Sequence, residues 1–214
     1  TTEGIVGFLN KVCEVELEPY IESSYQELAD YVNAYDQKMI MKRENIADRG
    51  IWTAKKRYIL NVWDSEGVRY EEAKLKIMGI EAIKTSTPAP CRKMLKDAFK
   101  ILMTGTEEEC IEYIERCRKE FKSLPPEEVS FPRTASNVEK WHSSADLYGK
   151  GCPIHIRGAI LYNHWTKKKD IDHKYATIQN GEKIKFCYLK TPNWMHENVI
   201  SFIQDFPTEL DLDK

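Results

Sequence analysis

The sequence of 214 residues contains no apolar run approaching the ~18 residues that a membrane-spanning helix requires. Its six cysteines (Cys13, Cys91, Cys110, Cys117, Cys152 and Cys187) form no CxxC pair. That spacing argues against a zinc site and suits buried thiols in a reducing compartment. The chain starts Thr1-Thr2-Glu3, without an initiator Met or a signal-peptide pattern, as expected of a piece excised from something longer. No internal repeat is visible. Excess charge is also missing, since 32 Lys and Arg face 34 Asp and Glu for a net charge of −2.

That near-neutrality hides a segregation. Residues 1–50 carry five cations against ten acids, and 53–104 carry eleven against six. Residues 105–129 carry four against eight, 133–190 eleven against five, and 191–214 one against five. Two basic blocks separated by an acidic one suit a protein that grips a polyanion while its acidic surfaces limit nonspecific sticking.

A hydrophobic fraction of 42% suits a globular core, and the length allows one large or two small domains. Residues 4–35 read as helical, with Ile5, Phe8, Leu9 and Val12 on one face and Ile21, Tyr25, Leu28 and Val32 on another. Pro19 is expected to bend or break that run. Residues 38–46 read as a strand, Asp48-Arg49-Gly50 as a turn, and 52–63 as a half-buried strand. Asp64-Ser65-Glu66-Gly67 reads as a hairpin turn, with 68–77 as the returning strand. The period then changes. Thr87-Pro88 reads as a hydroxyl N-cap with proline at the first helical position, and Gly105 as the stop. Thr106 with Glu109 reads as a capping box opening a second helix to about Lys122. A short helix is expected over 137–141, and β-signals return from Pro153. Asn180-Gly181 reads as a turn before an alternating strand over 183–188. The expected fold class is α+β, with a unit over 1–83 and another over 84–214.

Lys55-Lys56-Arg57-Tyr58 is the most informative stretch. Read as part of a strand, it places Lys55 and Arg57 on one face and Lys56 and Tyr58 on the other. Cations on both faces at one strand end, followed by apolar residues, suit an approaching polyanion; a solvated strand end is the alternative.

Together with Leu60-Asn61-Val62-Trp63-Asp64, Lys74-Leu75-Lys76-Ile77-Met78-Gly79 and the segment from Lys84 to Pro88, this stretch resembles the palm-to-thumb region of family B replicative DNA polymerases. The resemblance is to those of T-even-like bacteriophages. Cys152-Pro153-Ile154-His155-Ile156-Arg157-Gly158, followed by Tyr162-Asn163, is similar to the thumb signature of the same group. The resemblance runs from about residue 13 to about residue 203. It implies a palm fragment, made of a long helix and antiparallel strands with a β-hairpin. A helical thumb with a small β subdomain would follow, truncated at its C-terminus. It also implies a role in positioning the primer 3′ end for nucleotidyl transfer in phage DNA replication, as part of a DNA-directed DNA polymerase in the cytoplasm of the infected bacterial host.

The resemblance implies that Lys55, Lys56, Arg57 and Tyr58 lie at the primer terminus. There, lysine ammonium groups can test minor-groove acceptors common to all base pairs. Lys84, Thr85, Ser86 and Thr87 form a candidate phosphate site, or else a plain helix cap. Thr134, Ser136, Asn137, Lys140, Lys150, His155 and Arg157 are the remaining candidates for duplex-backbone contact, with a structural role for His155 as the alternative. The carboxylate motifs that hold two divalent cations in such enzymes, Asp-x-x-Ser-Leu-Tyr-Pro-Ser and Tyr-Gly-Asp-Thr-Asp-Ser, do not occur here. No catalytic residue is therefore expected in the chain, which alone should be inactive. The Mg2+ ligands of the full enzyme would lie elsewhere, with Glu44 and Glu66 as weak candidates for an additional cation. Expected partners are primer–template DNA and the remainder of the polymerase, in the same or a split chain; the sliding-clamp tail would be absent. The alternative is a non-enzymatic, sequence-independent duplex DNA-binding subunit.

Overall fold

The computed structural model describes residues 1–143 and 145–212. The chain forms two units, Thr1–Ile80 and Glu81–Lys214. Helices and antiparallel sheets are mixed in both, an α+β arrangement. Among the described residues no helix is long and apolar enough to cross a membrane.

The first unit opens with α1 (Thr2–Val12), capped by the Thr1 hydroxyl, which accepts from the Gly4 N–H. A π-helical turn (Cys13–Leu17) joins it to α2 (Glu18–Tyr31). Pro19 lies in the first turn of α2, just after the π-helical turn that separates α2 from α1, and the helical run continues through it. In a regular turn its ring would meet the carbonyl four residues back, and the π turn widens the backbone just before it, with the Glu18 N–H reaching the Cys13 carbonyl. Only Val6 and Ala29 are buried along α1 and α2, whereas the apolar face with Ile5, Phe8, Leu9 and Leu28 stands exposed.

The strand expected over 38–46 begins only at Asn45. The residues just before it are held by side chains instead, with the Arg43 N–H donating to Glu18 Oε1. β1 (Asn45–Ala54), β2 (Arg57–Ser65) and β3 (Val68–Met78) form one antiparallel sheet in that order. Asp48-Arg49-Gly50, expected to turn, lies inside β1, where the register shifts between Ala47 and Arg49. The buried Asn61 of β2 donates to Asp48 Oδ1 at 2.8 Å, which anchors the irregular stretch to the sheet. Glu66 and Gly67, both at positive φ, make the two-residue turn from β2 to β3.

In the second unit a 3-10 turn (Glu81–Ile83) leads to α3 (Ala89–Thr104) and α4 (Glu107–Ser123). Gly105 ends α3, and the expected capping box is present, with Glu109 N–H to Thr106 Oγ1 at 3.3 Å and Thr106 N–H to Glu109 Oε2 at 3.0 Å. There follow α5 (Pro126–Val129), β4 (Phe131–Thr134), α6 (Val138–Trp141), the β5 (His142–Ser143) and β6 (Leu147–Tyr148) pair, and α7 (Ile154–Lys168). Then come β7 (Lys183–Tyr188), β8 (Val199–Phe202) and a closing 3-10 turn (Thr208–Leu210). β4, β7 and β8 form a sheet in that order. The core lies between α7 and this sheet, from Ile156, Ala159, Ile160, Ile184, Ile200 and Phe202. Each large apolar side chain buried there contributes about 1.5–3 kcal/mol.

Residues 154–168 are thus helical, where β-signals had suggested strand. Five successive residues, Gly158 through Tyr162, are buried, so this helix is covered on most sides. An element without a polar face shows no helical period.

Candidate nucleic-acid interface

β1 and β2 meet in a two-residue turn made of Lys55 and Lys56, with Ala54 paired to Arg57 and Trp52 to Tyr58. The four residues expected within one strand therefore divide. Lys55 and Lys56 form the exposed tip, and only Arg57 and Tyr58, both half-buried, belong to a strand. The alternation expected from Lys55 onward holds only from Arg57. Lys56 adopts the left-handed region at φ 61°, without being the Asn or Gly that usually takes it. The Thr53 hydroxyl donates to the Arg57 carbonyl at 3.2 Å and clasps the tip. Neither lysine has an ion-pair partner among the described residues, so both ammonium groups are presented to solvent.

At the opposite end of this sheet lies buried Asp64. Its carboxylate is ion-paired with Arg43 Nη1 (2.7 Å) and accepts from Arg69 Nε (3.3 Å) and the Gly67 N–H (3.0 Å). Burial pushes its pKa up, but the two guanidinium bonds and the amide outweigh that and hold the carboxyl below the usual range. The Glu66 N–H donates to the Glu44 carbonyl at 2.7 Å, which brings the two weak cation candidates together along the backbone. The Glu44 carboxylate, however, is engaged by Lys76, whose hydrogen bond lowers its pKa. Among the described residues no three His, Cys, Asp or Glu side chains are placed to share a metal ion. This donor set does not fit a Mg2+ site.

In the second unit, Lys84 to Thr87 form a turn closed by Thr87 N–H to the Lys84 carbonyl at 3.1 Å. Thr87 does not cap α3. The cap position is Pro88, and no side chain caps the helix. Pro90, in the first helical turn, removes one of the few free N–H donors there, which weakens this end as an anion site. What remains are exposed Lys84 and Thr85 and half-buried Ser86 and Thr87, with Lys84 paired to Glu81 at 2.9 Å. Arg133 Nη1 donates to the Ser86 carbonyl at 3.3 Å, so it joins this turn to β4. Arg133 belongs to no motif in the sequence. Its signal was a lone cation immediately before the Thr134 cluster.

Thr134, Ser136, Asn137 and Lys140 are all exposed. Their loop is fixed by the buried Ala135, which is bonded through both backbone groups to Glu182 and Gly181, and by Val138 N–H to Asn180 Oδ1. Lys150 is exposed in a turn before α7. His155 and Arg157 sit on α7 rather than on a strand. Arg157 is turned inward to Asn198 and Glu197, beneath the Tyr148 ring, while Tyr148 donates to Glu197. These contacts give it a packing role. The His155 carbonyl accepts from the Ser201 hydroxyl at 2.7 Å. Burial first, and Arg133 second, lower the His155 pKa, so the ring is a poor phosphate partner at neutral pH. NMR titration should find His155 charging only below the usual ~6.5 of a free imidazole. Titration at or above that value would contradict this placement.

Gly158 shows why this segment is built as it is. A Cβ there would lie 2.5 Å from Ser201 Oγ, 2.8 Å from Ser201 N and 2.9 Å from the Ile200 carbonyl carbon. Only glycine lets α7 lie directly on the β8 backbone. Gly158→Ala is expected to destabilise the second unit by about 1–3 kcal/mol through overpacking, read by urea denaturation. An unchanged midpoint would show that the contact is not tight.

No family model matches the chain. Over 205 residues it is 37% identical to a DNA-directed DNA polymerase of Escherichia phage RB69. Over 206 residues it is 32% identical to a DNA-directed DNA polymerase of Enterobacteria phage T4. Each match covers 92% of this chain, but the chain spans only 22% of the length of either relative. It is therefore related to a segment of the polymerases of T-even-like phages.

Proposed function

We propose that this chain is the part of a phage DNA-directed DNA polymerase that holds the primer–template duplex and sets the primer 3′ end for nucleotidyl transfer. The observation that carries this reading is the hairpin tip, where two exposed lysines without ion-pair partners stand within a segment matched to polymerases over 92% of the chain. Residues 1–83 then correspond to the later part of a palm, and 84–214 to a thumb. Positioning is a real contribution to such a reaction, since holding reactants in line removes much of the entropic barrier. The carboxylates that hold the catalytic cations would come from the rest of the polymerase, and the chain alone would not extend a primer.

Lys55 and Lys56, with Arg57 and Tyr58 behind them, are assigned to the primer end of the duplex. Lys84, Thr85, Ser86, Thr87, Arg133, Thr134, Ser136, Asn137, Lys140 and Lys150 are assigned to its backbone. Such contacts position DNA without reading sequence. His155 and Arg157 support this surface by packing rather than by touching DNA. The uncovered apolar face of α1 and α2, where Phe8 is 66% exposed, fits burial against the remaining four-fifths of the polymerase. The setting is phage replication in the infected bacterium.

The deciding experiment mixes this chain with the preceding polymerase segment that carries the metal-binding carboxylates, and follows primer extension. Extension by the mixture and by neither part alone is expected. DNA binding without extension in any mixture would instead support a duplex-binding subunit that serves no catalytic partner.

A further inference from the structure

We infer that Gly79, at the far end of β3, is a positioning residue that sets the geometry of the Lys55–Lys56 tip. Tyr58 pairs with Met78, so the chain leaving β3 passes directly beside the turn between β1 and β2. Gly79 does so at φ 67°. A Cβ built on it would fall far inside contact distance of the Lys56 carbonyl oxygen, 3.3 Å from the Lys56 carbonyl carbon and 3.1 Å from Arg57 Cγ. The first two of these are backbone atoms, which cannot rotate away as a side-chain end would. Lys56 is itself held in the left-handed region, with no side chain of the Asn or Asp type to favour it. The absence of a side chain at Gly79 is what leaves room for the Lys56 carbonyl, and hence fixes where both lysine stems leave the backbone.

Gly67 supplies the comparison. It occupies the same backbone region at φ 86°, in the turn at the other end of β2, and a Cβ there would have nothing within 4 Å. Asparagine tolerates the left-handed region best among residues with a side chain. Gly79→Asn and Gly67→Asn therefore carry similar backbone strain, and only the first presses on the cationic tip.

The structural half of the inference is read by amide chemical shifts and hydrogen exchange of Lys55, Lys56 and Arg57. Gly79→Asn is expected to move them and Gly67→Asn to leave them in place. Equal or absent effects would overturn the inference, as would loss of the whole fold in Gly79→Asn alone, because the effect is confined to the tip. The DNA half rests on the proposed grip. In salt titrations with primer–template, Gly79→Asn should make the dependence of log affinity on log salt shallower by about 1–2, as the charge of one or both lysines is withdrawn from the DNA. Gly67→Asn should match the unsubstituted chain. If the unsubstituted chain binds no DNA at low salt, the proposed function fails while the tip measurement still decides the role of Gly79. If it binds and Gly79→Asn binds with the same salt dependence, Gly79 does not position the grip.

Discussion

Alanine at both Lys55 and Lys56 is expected to weaken primer–template binding on the order of 50-fold at 0.1 M salt, leaving thermal stability within about 0.5 kcal/mol of the original. Each cation brought against the DNA displaces close to one counterion, so two of them change affinity by roughly the inverse salt concentration raised to the power ~1.8. The difference should shrink steadily as salt approaches 1 M. The side chains can be removed without structural cost because both lie exposed at a turn and make no ion pair among the described residues. Fluorescence anisotropy over a salt series measures the effect, and a denaturation curve supplies the control. Unchanged affinity at low salt would remove the hairpin tip from the interface.

Asp64→Ala should be the most damaging single change in the first unit, costing about 3–5 kcal/mol. The carboxylate is buried, ion-paired with two arginines and bonded to a backbone amide. Arg43, whose side chain is 11% exposed, would be left charged without its counter-ion. The network also ties the residues before β1 to the turn between β2 and β3, so that end of the sheet would loosen. The same group predicts a pH dependence. Because the folded carboxyl is held below its unfolded value of ~3.9, its stabilisation is fully present above that pH and is lost as pH falls through the lower folded value. Urea midpoints should fall on acidification below about pH 4 in the original chain, and this group's share of that fall should be missing in Asp64→Ala. A variant of equal stability at neutral pH would show that the ion network contributes nothing net.

The sequence exposed those elements whose signals are local. Thr106 and Glu109 cap α4 as expected, Gly105 ends α3, and Glu66-Gly67 turns the hairpin, because each depends on side-chain or φ requirements spelled out within four residues. Three features were hidden because distant residues decide them. The Lys55-Lys56 turn carries no turn residue of its own, and its shape depends on open space beside Gly79, more than twenty positions later. Asp48-Arg49-Gly50 has turn composition but is held inside β1 by Asn61 of the neighbouring strand. The α7 helix looked like strand because burial on most sides erased its period.

The candidate site divided in the same way. Its cationic residues could be found by composition and by resemblance, since exposed lysines leave a charge signature. Whether a cation faces outward was not legible. Lys55 and Lys56 do, whereas Arg157 is consumed by Asn198, Glu197 and Tyr148. Arg133 escaped notice because its link to Ser86 joins residues far apart in sequence.

The central claim can be tested by covalent trapping with the native lysines. A primer–template carrying one abasic aldehyde within its last base pairs at the primer end would be incubated with the chain, and the lysine imine reduced by borohydride. The account predicts a trapped product at Lys55 or Lys56, lost when the aldehyde is moved a full helical turn away from the primer terminus. Trapping independent of aldehyde position, or only at other lysines, would contradict it.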